Sequence, residues 1–176
     1  MVRYVTAAPD KPNYALEQPF CRQGAVIGVD EAGRGPWAGP VTAAAFWINP
    51  ERKDKLPKTL TDSKKLSALK REQIRQELCA PDNGHLWAIR HTSVVEIDRA
   101  GILSATFLAM ADAVYSLADL LAKRRNIQLS MVLIDGNLLP LHSLDPLEAN
   151  LIAQELFLTY YHLSYSLKLY HLHTHP

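Results

Sequence analysis

Two neighbouring carboxylates, Asp30 and Glu31, stand between a short apolar run and a glycine-rich segment. The run at 25–29 is nearly all apolar, which predicts a buried strand that ends at about Asp30. In a continuing strand the two carboxylates would point to opposite faces of a sheet. Because glycines and prolines follow at once, we expect a turn starting at Ala32 that lets Glu31 swing to the side of Asp30.

Adjacent carboxylates repel each other, and a hard divalent cation such as Mg²⁺ or Mn²⁺, which prefers oxygen ligands, would offset that repulsion. The alternative is a strand that ends in a solvated acidic turn, and a bare Asp-Glu pair would favour it. Here Gly33, Arg34 and Gly35 follow directly. Glycines let backbone amides approach a ligand closely, and arginine binds phosphate through paired hydrogen bonds. We therefore predict a metal site at Asp30 and Glu31 beside a phosphate-binding turn.

A third carboxylate, Asp135, also ends a short apolar run, at 130–134. If its strand is the neighbour of the strand that ends at Asp30, the spacing of about 5 Å between strands would place both carboxylates at one metal site. The alternative for Asp135 is an Asp-Gly pair that opens a turn. Because Asp30 offers the same arrangement, we predict that Asp135 is a metal ligand.

The sequence between these carboxylates predicts the elements that position them. Ser93 and Glu96 have the spacing of a capping box at a helix start, and Gly101 should break or kink the helical region that follows. A helix capped by Ser63 or Ser67 should have Leu69, Ile74 and Leu78 on its inner face. The long helix should bury Leu103, Phe107, Met110, Val114, Leu117 and Leu121. Strands are predicted at 25–30, 41–48, 85–92 and 130–134. The first helix should end at about residue 78, and the long helix should run over about 102–123.

Three segments resemble one known family. The run Asp-Glu-Ala-Gly-Arg-Gly at 30–35, followed by Gly-Pro-Val at 39–41, is similar to the signature of ribonuclease HII. The run Asp-Ser-Lys-Lys-Leu-Ser at 62–67 resembles a second segment of that family. The Asp-Gly pair at 135–136 corresponds to its third catalytic carboxylate.

The resemblance implies an α/β protein of the ribonuclease H-like fold: a mixed sheet of three strands, a helix and a parallel fourth strand, with flanking helices. It implies a metal-dependent endonuclease that cleaves RNA in RNA–DNA hybrids or at ribonucleotides embedded in duplex DNA. Mn²⁺ or Mg²⁺ would be held by three catalytic carboxylates, and two segments would bind the nucleic acid. The implied catalytic and metal residues are Asp30, Glu31 and Asp135, and the implied substrate contacts are Gly33, Arg34, Gly35, Ser63, Lys64 and Lys65.

Charge adds a weaker indication of a nucleic-acid partner. The net charge of the chain is only +1, but residues 51–75 contain nine lysines and arginines and only four acidic residues. This excess could form a phosphate-facing patch. The alternative is a solvated helix and loop surface, which is what such charge runs usually form.

Length and composition bound the remaining expectations. The 176 residues suit one domain, which we divide into an irregular N-terminal arm at 1–24, a catalytic core at 25–139 and a divergent or truncated tail at 140–176. We see no secretory signal and no apolar run that would cross a membrane, and we expect free thiols at Cys21 and Cys79. A cytoplasmic monomer without a membrane partner is therefore expected.

The resemblance ends after about Leu139, where the family carries a fourth acidic ligand and a stacking tyrosine. Glu148 or Glu155 could replace that ligand. One hypothesis is that the reading frame is truncated or frameshifted beyond Asn137. The alternative function is therefore a catalytically impaired remnant that at most binds nucleic acid, and we expect weak or no nuclease activity and low solubility. A different ribonuclease H-like nuclease is a third possibility, which the Gly-Arg-Gly segment disfavours.

The tail still carries local signals. Asp145 reads as the cap of a helix that runs to about Thr159. The alternating pattern at 162–169 predicts an edge strand. His171, His173 and His175 also alternate, and are more easily explained as a frayed end than as a weak transition-metal site.

Overall fold

The computed structural model describes residues 3–5, 13–35, 38–135 and 168–172. The two helices in this part of the chain are α1 (Ala68–Leu78) and α2 (Val94–Arg125), and short 3₁₀ turns cover Pro50–Lys55, Ser63–Lys65 and Pro81–Asn83. Its six strands are β1 (Arg3–Val5), β2 (Ala25–Ala32), β3 (Val41–Trp47), β4 (Leu86–Thr92), β5 (Leu129–Asp135) and β6 (Lys168–Leu172).

All six strands form one mixed sheet in the order β1-β6-β5-β2-β3-β4. β2, β3 and β4 pair antiparallel with one another. β5 pairs parallel to β2, β6 parallel to β5, and β1 parallel to β6. The predicted architecture, in which three strands and a helix precede a parallel strand beside the first, is confirmed.

The long helix α2 begins and bends where the sequence indicates. The Ser93 hydroxyl accepts a hydrogen bond from the Glu96 amide at 3.3 Å, and the Glu96 carboxylate accepts one from the Ser93 amide at 2.7 Å. The Ser93 hydroxyl also donates to the Glu96 carboxylate at 2.6 Å, and this bond, together with the bond from the Ser93 amide, lowers the pKa of Glu96 because both stabilise its charged form. Gly101 interrupts the helix with φ of +79°, a backbone conformation that glycine adopts without steric cost. The capping box and the break are therefore both confirmed.

The main core lies between α2 and one face of the sheet. Five of the six predicted core residues of α2 are buried there, and Leu103 is partly buried. Ile27, Val29, Ala43 and Ile134 supply the sheet side of this core. On the opposite face Val26, Met131 and Leu133 form a smaller cluster, against which Leu16, Phe20 and Cys21 pack.

The N-terminal residues do more than form an irregular arm. Arg3–Val5 pairs with β6, and the turns after Asn13 cover the second face of the sheet. No local pattern in the sequence indicates this strand, because its partner lies more than 160 residues away along the chain. Cys21 and Cys79 are both free, as expected.

The first helix differs in detail from the prediction. Ser67, not Ser63, caps α1, because its hydroxyl accepts from the Lys70 amide at 3.3 Å. Of the three expected inner residues only Ile74 is buried, and Leu69 is 72% exposed. Five residues of α-helix turn through about 140° beyond one full turn, so Leu69 cannot share the inner face of Ile74.

The tail forms an inner strand, not an edge strand. β6 covers 168–172 and pairs with both β1 and β5, so the edge setting predicted for 162–169 is wrong where it is described, at 168–169, and 162–167 lie outside the described residues. Strand alternation does not reveal how many partners a strand has. His171 belongs to β6, where it pairs with Ile134, and is not part of a frayed end. The predicted helix at 145–159, His173 and His175 lie outside the described residues.

The helix α2 is long and apolar enough to cross a membrane by length and composition, contrary to the expectation from the sequence. Ten of its residues are buried, and its core residues pack against the sheet. The core helix of a soluble protein passes the same length and composition test, so α2 gives only weak evidence for a membrane span.

Candidate functional site

Parallel pairing of β2 and β5 brings two aspartates together at one end of the sheet. The register pairs Val29 with Ile134, and the residue that follows each of them is an aspartate, Asp30 in β2 and Asp135 in β5. Neighbouring strands lie about 4.8 Å apart, so the two backbones are adjacent. The predicted adjacency of the two strands is therefore confirmed, whereas a shared metal ion stays a prediction because the side chain of Asp135 is not described.

Asp30 is an exposed residue, and the strand alternation places it on the sheet face opposite to the buried Val29. One of its carboxylate oxygens, Oδ1, accepts a hydrogen bond from the Glu31 amide at 2.7 Å. Its backbone pairs with Ala44 of the antiparallel neighbour β3. Asp30 therefore offers a solvent-accessible carboxylate, a candidate metal ligand, from a strand that is paired on both sides.

Glu31 stays within β2, which corrects one expectation. The strand continues through Ala32, and Glu31 pairs with Ala43. The turn therefore starts at Gly33, and alternation keeps Glu31 on the opposite face from Asp30. Pairing with β3, which the local sequence does not specify, extends the strand past the point where the glycines suggested a turn. The Glu31 carboxylate is only 17% exposed and accepts a hydrogen bond from Arg34 at 3.2 Å.

The turn after β2 requires glycine at its first position. Gly33 has φ of +91°, and a Cβ there would collide with the carbonyl oxygen of Pro40. A Cβ at Gly39, where φ is +56°, would press on Val94 and Ile97 at 3.2 Å, so this loop approaches the start of α2. Among the residues that the structure describes, none has an atom within 4 Å of a Cβ built at Gly35. The backbone at Gly35 is therefore open to a ligand, as a phosphate-binding or ribose-binding turn needs.

The second predicted nucleic-acid segment forms an exposed 3₁₀ turn. Ser63, Lys64 and Lys65 are all exposed, and the Asp62 carboxylate caps the turn by accepting from the Lys64 amide at 2.9 Å. The Arg71 guanidinium donates to the carbonyl oxygen of Ser63 at 3.3 Å and so connects the turn to α1. The turn presents two ammonium groups to solvent. Its contact with nucleic acid stays a prediction, as does the basic patch over 51–75.

The sequence analysis did not single out a polar pair on the same sheet face as Asp30. Thr42 Oγ1 and His91 Nδ1 lie 2.8 Å apart, because the two residues pair across β3 and β4. Thr42 also pairs with Ala32, two residues beyond Asp30 in β2. No local signal connects two residues so far apart in sequence, and strand register alone reveals the pair.

The donor chemistry of the carboxylates fits a hard divalent cation, because every candidate ligand is a carboxylate oxygen. Among the side chains that the structure describes, no three histidine, cysteine, aspartate or glutamate residues come together as a complete ligand group. Asp135 is not among those side chains. Asp30 and Glu31 therefore offer carboxylates on opposite faces at the end of β2, and the backbone of Asp135 lies beside that of Asp30.

The architecture matches solved structures of one class. Ribonuclease H2 from Pyrococcus horikoshii OT3 matches with a TM-score of 0.57 and 23% identity, over 85% of this chain and 63% of that one. A crystal structure of Bst-RNase HIII in complex with Mn²⁺ matches with a TM-score of 0.56 and 19% identity, over 74% of this chain and 41% of that one. Sheet order and these neighbours define a ribonuclease H-like α/β protein.

Sequence comparison defines the family more narrowly. The family model for ribonuclease HII matches residues 27–157, beyond Leu139, where the resemblance was expected to end. Curated relatives called ribonuclease HII include those of Paracoccus denitrificans, 45% identical over 131 residues, and Rhodospirillum rubrum, 48% identical over 130 residues. The alignments cover 73% of this chain and 56% and 55% of the relatives, so the chain spans about half of their length. The chain belongs to the ribonuclease HII family.

Proposed function

We propose that this chain is a metal-dependent endonuclease that cleaves RNA in RNA–DNA hybrids or at ribonucleotides embedded in duplex DNA. The observation that carries the proposal is the parallel pairing of β2 and β5, which sets the backbones of Asp30 and Asp135 side by side. Membership of the ribonuclease HII family gives this arrangement its chemical meaning. The reaction is the hydrolysis of one phosphodiester bond next to a ribonucleotide.

Asp30, Glu31 and Asp135 would hold the divalent ions. Asp30 and Asp135 end adjacent strands, and Glu31, which alternation sets on the other face of β2, is the next residue after Asp30 at the strand end. Bound ions in such a site supply an activated water and stabilise the leaving oxygen. Mn²⁺ is the first ion to test, since a structural neighbour was crystallised with it, and Mg²⁺ is the second. The pairing of β2 with β3 positions the backbone of Asp30, and the Glu31 amide, which donates to Asp30 Oδ1, orients the carboxylate.

The turn at 33–35 would recognise the substrate. Its open backbone at Gly35 allows amide contact with the minor groove, where the 2′-hydroxyl distinguishes RNA from DNA. Arg34 would bind a backbone phosphate. Lys64 and Lys65 would add phosphate contacts that do not depend on sequence, and these should weaken as salt rises.

The cellular setting is part of the same proposal. A cytoplasmic monomer suits free thiols and an enzyme that must reach duplex nucleic acid. A size-exclusion measurement with light scattering tests the monomer, and fractionation of cells tests the compartment.

The direct test is cleavage of a DNA duplex that carries a single ribonucleotide, in Mn²⁺ or Mg²⁺. We expect one cut at the ribonucleotide, no cut in the matched all-DNA duplex and no cut in EDTA. Asp30→Asn should abolish cleavage. Asp119→Asn is the matched control, since it removes a carboxylate that pairs with Lys123 on the exposed surface of α2.

Three outcomes would contradict the proposal. Cleavage of the all-DNA duplex would show a different nuclease, and cleavage that survives Asp30→Asn would place the chemistry elsewhere. Binding of the ribonucleotide duplex without any cleavage would instead support the alternative of an impaired chain that binds nucleic acid.

A further inference from the structure

Arg34 and Glu31 form an ion pair within the segment at 30–35. The proposed function assigns Glu31 to a divalent ion and Arg34 to a phosphate of the nucleic acid. The Arg34 guanidinium donates from Nη1 to Glu31 Oε1 at 3.2 Å. The arginine side chain is 46% exposed and the carboxylate 17% exposed. Gly33, with a left-handed φ of +91°, lies between the two residues, whose side chains meet although they are three positions apart.

The two groups of this pair have competing uses in the proposed function. A divalent cation would take the Glu31 carboxylate, and a backbone phosphate would take the Arg34 guanidinium. The ion pair uses one guanidinium N–H and one carboxylate oxygen, Glu31 Oε1. A dication bound to Glu31 competes with Arg34 for the negative charge of the carboxylate and also repels the guanidinium. A partly exposed pair of this kind is worth at most about a fivefold change in an equilibrium constant. A dication that binds the carboxylate can therefore displace the guanidinium.

We propose that the Arg34–Glu31 ion pair couples metal binding to nucleic-acid binding. Without a cation the pair holds Arg34 on Glu31, and a cation at Glu31 releases the guanidinium for a phosphate of the duplex. The inference rests on the proposed function, since it uses the metal role of Glu31 and the phosphate role of Arg34. Coupling is reciprocal, so a bound duplex that takes Arg34 also makes Glu31 more available to the cation.

The first experiment needs no metal. In EDTA and low salt, fluorescence anisotropy of a labelled RNA–DNA hybrid gives Kd for the parent, Glu31→Gln, Arg34→Ala and the double variant. In the parent, Arg34→Ala should change Kd for the hybrid by less than about twofold, because Glu31 already holds the guanidinium and little of its charge is available to a phosphate. In the Glu31→Gln background, where Arg34 is released, the same change should raise Kd about fivefold.

A matched control separates release of Arg34 from the simple loss of a negative charge. Asp30→Asn removes the neighbouring carboxylate and leaves the ion pair intact. In that background Arg34→Ala should again cost less than about twofold. An equal cost of Arg34→Ala in the parent, Asp30→Asn and Glu31→Gln backgrounds would overturn the proposal.

The second experiment follows the guanidinium itself and uses no nucleic acid. In NMR spectra the Arg34 Nε–H resonance, assigned by its loss in Arg34→Ala, should move and saturate as diamagnetic Mg²⁺ is added. In Glu31→Gln it should start near the Mg²⁺-bound position of the parent and stay there. Backbone amides at 28–31 report whether Mg²⁺ binds.

These readouts distinguish failure of the ion-pair proposal from failure of the proposed function. If Mg²⁺ shifts the amides but leaves the Arg34 resonance unmoved, the ion-pair proposal is wrong and the nuclease proposal stands. If the parent binds no hybrid duplex but its Arg34 resonance follows Mg²⁺, the nuclease proposal and the coupling to nucleic acid are both wrong, and only the displacement of Arg34 by the cation stands. If Mg²⁺ moves neither the amides nor Arg34, both are wrong.

Discussion

Val29 and Ile134 pair across the parallel strands β2 and β5, and the next residue in each strand is an aspartate. The paired residues are more than 100 positions apart in sequence, yet this register places the backbones of Asp30 and Asp135 side by side. Antiparallel pairing would have put these strand ends at opposite edges of the sheet. The direction of one strand pair therefore decides whether a shared metal site can exist.

Loss of either aspartate should weaken metal binding. Asp30→Asn and Asp135→Asn each remove a negative oxygen ligand, and we expect each to raise the Kd for Mn²⁺ about tenfold or more in calorimetry. Asp119→Asn, on the exposed surface of α2, should leave that Kd unchanged. Unchanged affinity in both site variants would rule out the shared site.

Arg34→Ala should weaken binding to a hybrid duplex when a divalent ion is present. We expect the effect to shrink as salt rises, and the slope of log K against log salt to fall by about one, because one phosphate contact no longer releases counterions. Anisotropy in Ca²⁺ measures this, with a gel in parallel to verify that the duplex stays intact.

Arg75→Ala is the control for the Arg34 experiment, since Arg75 is an exposed arginine already paired with Glu72 at 2.6 Å. Its slope should stay close to that of the parent. If Arg34→Ala binds as the parent does at low salt in Ca²⁺, the segment at 33–35 is a turn and not a phosphate contact.

Gly33→Ala should destabilise the protein. The left-handed φ of +91° and the collision of a Cβ with the Pro40 carbonyl both oppose any larger residue. We expect a loss of about 1–3 kcal/mol in the free energy of unfolding, measured in urea. Gly35→Ala is the matched control, because a Cβ there meets no other described residue within 4 Å and should cost much less. Equal losses in the two variants would show that the turn is not specified by Gly33.

His85 should make stability depend on pH. The side chain is 4% exposed, its Nδ1 accepts from the Asn49 amide at 3.1 Å, and burial lowers its pKa. As pH falls through about 6.5, the unfolded chain gains a proton on this residue while the folded chain does not. Stability should therefore fall from pH 7.5 towards pH 5.5, until the lowered folded pKa is reached.

Urea unfolding at several pH values measures this dependence, and His85→Gln removes the titrating group while keeping a polar side chain. The variant should lose less stability than the parent between pH 7.5 and 5.5. A parallel loss in both proteins would assign the pH dependence to other groups. An NMR titration that gives His85 a pKa above 6.5 would reverse the sign and contradict the prediction.

The sequence alone determined the features that short-range physics controls. Ser93 and Glu96 form a capping box because both partners lie within one helical turn, and Gly101 breaks α2 because glycine adopts its positive φ without steric cost. The buried face of α2 follows from helical spacing. The segment at 30–35 was recognisable as a family signature from residue types in order.

Tertiary structure decided whatever depends on which strands become neighbours. Glu31 stayed in β2 because β3 pairs with it, and β6 became an inner strand because β1 and β5 pair with it on both sides. The Thr42–His91 contact likewise exists only in the register of β3 and β4. Hydrogen bonds between strands join residues that are distant along the chain, and the alternation within one strand carries no information about its partner.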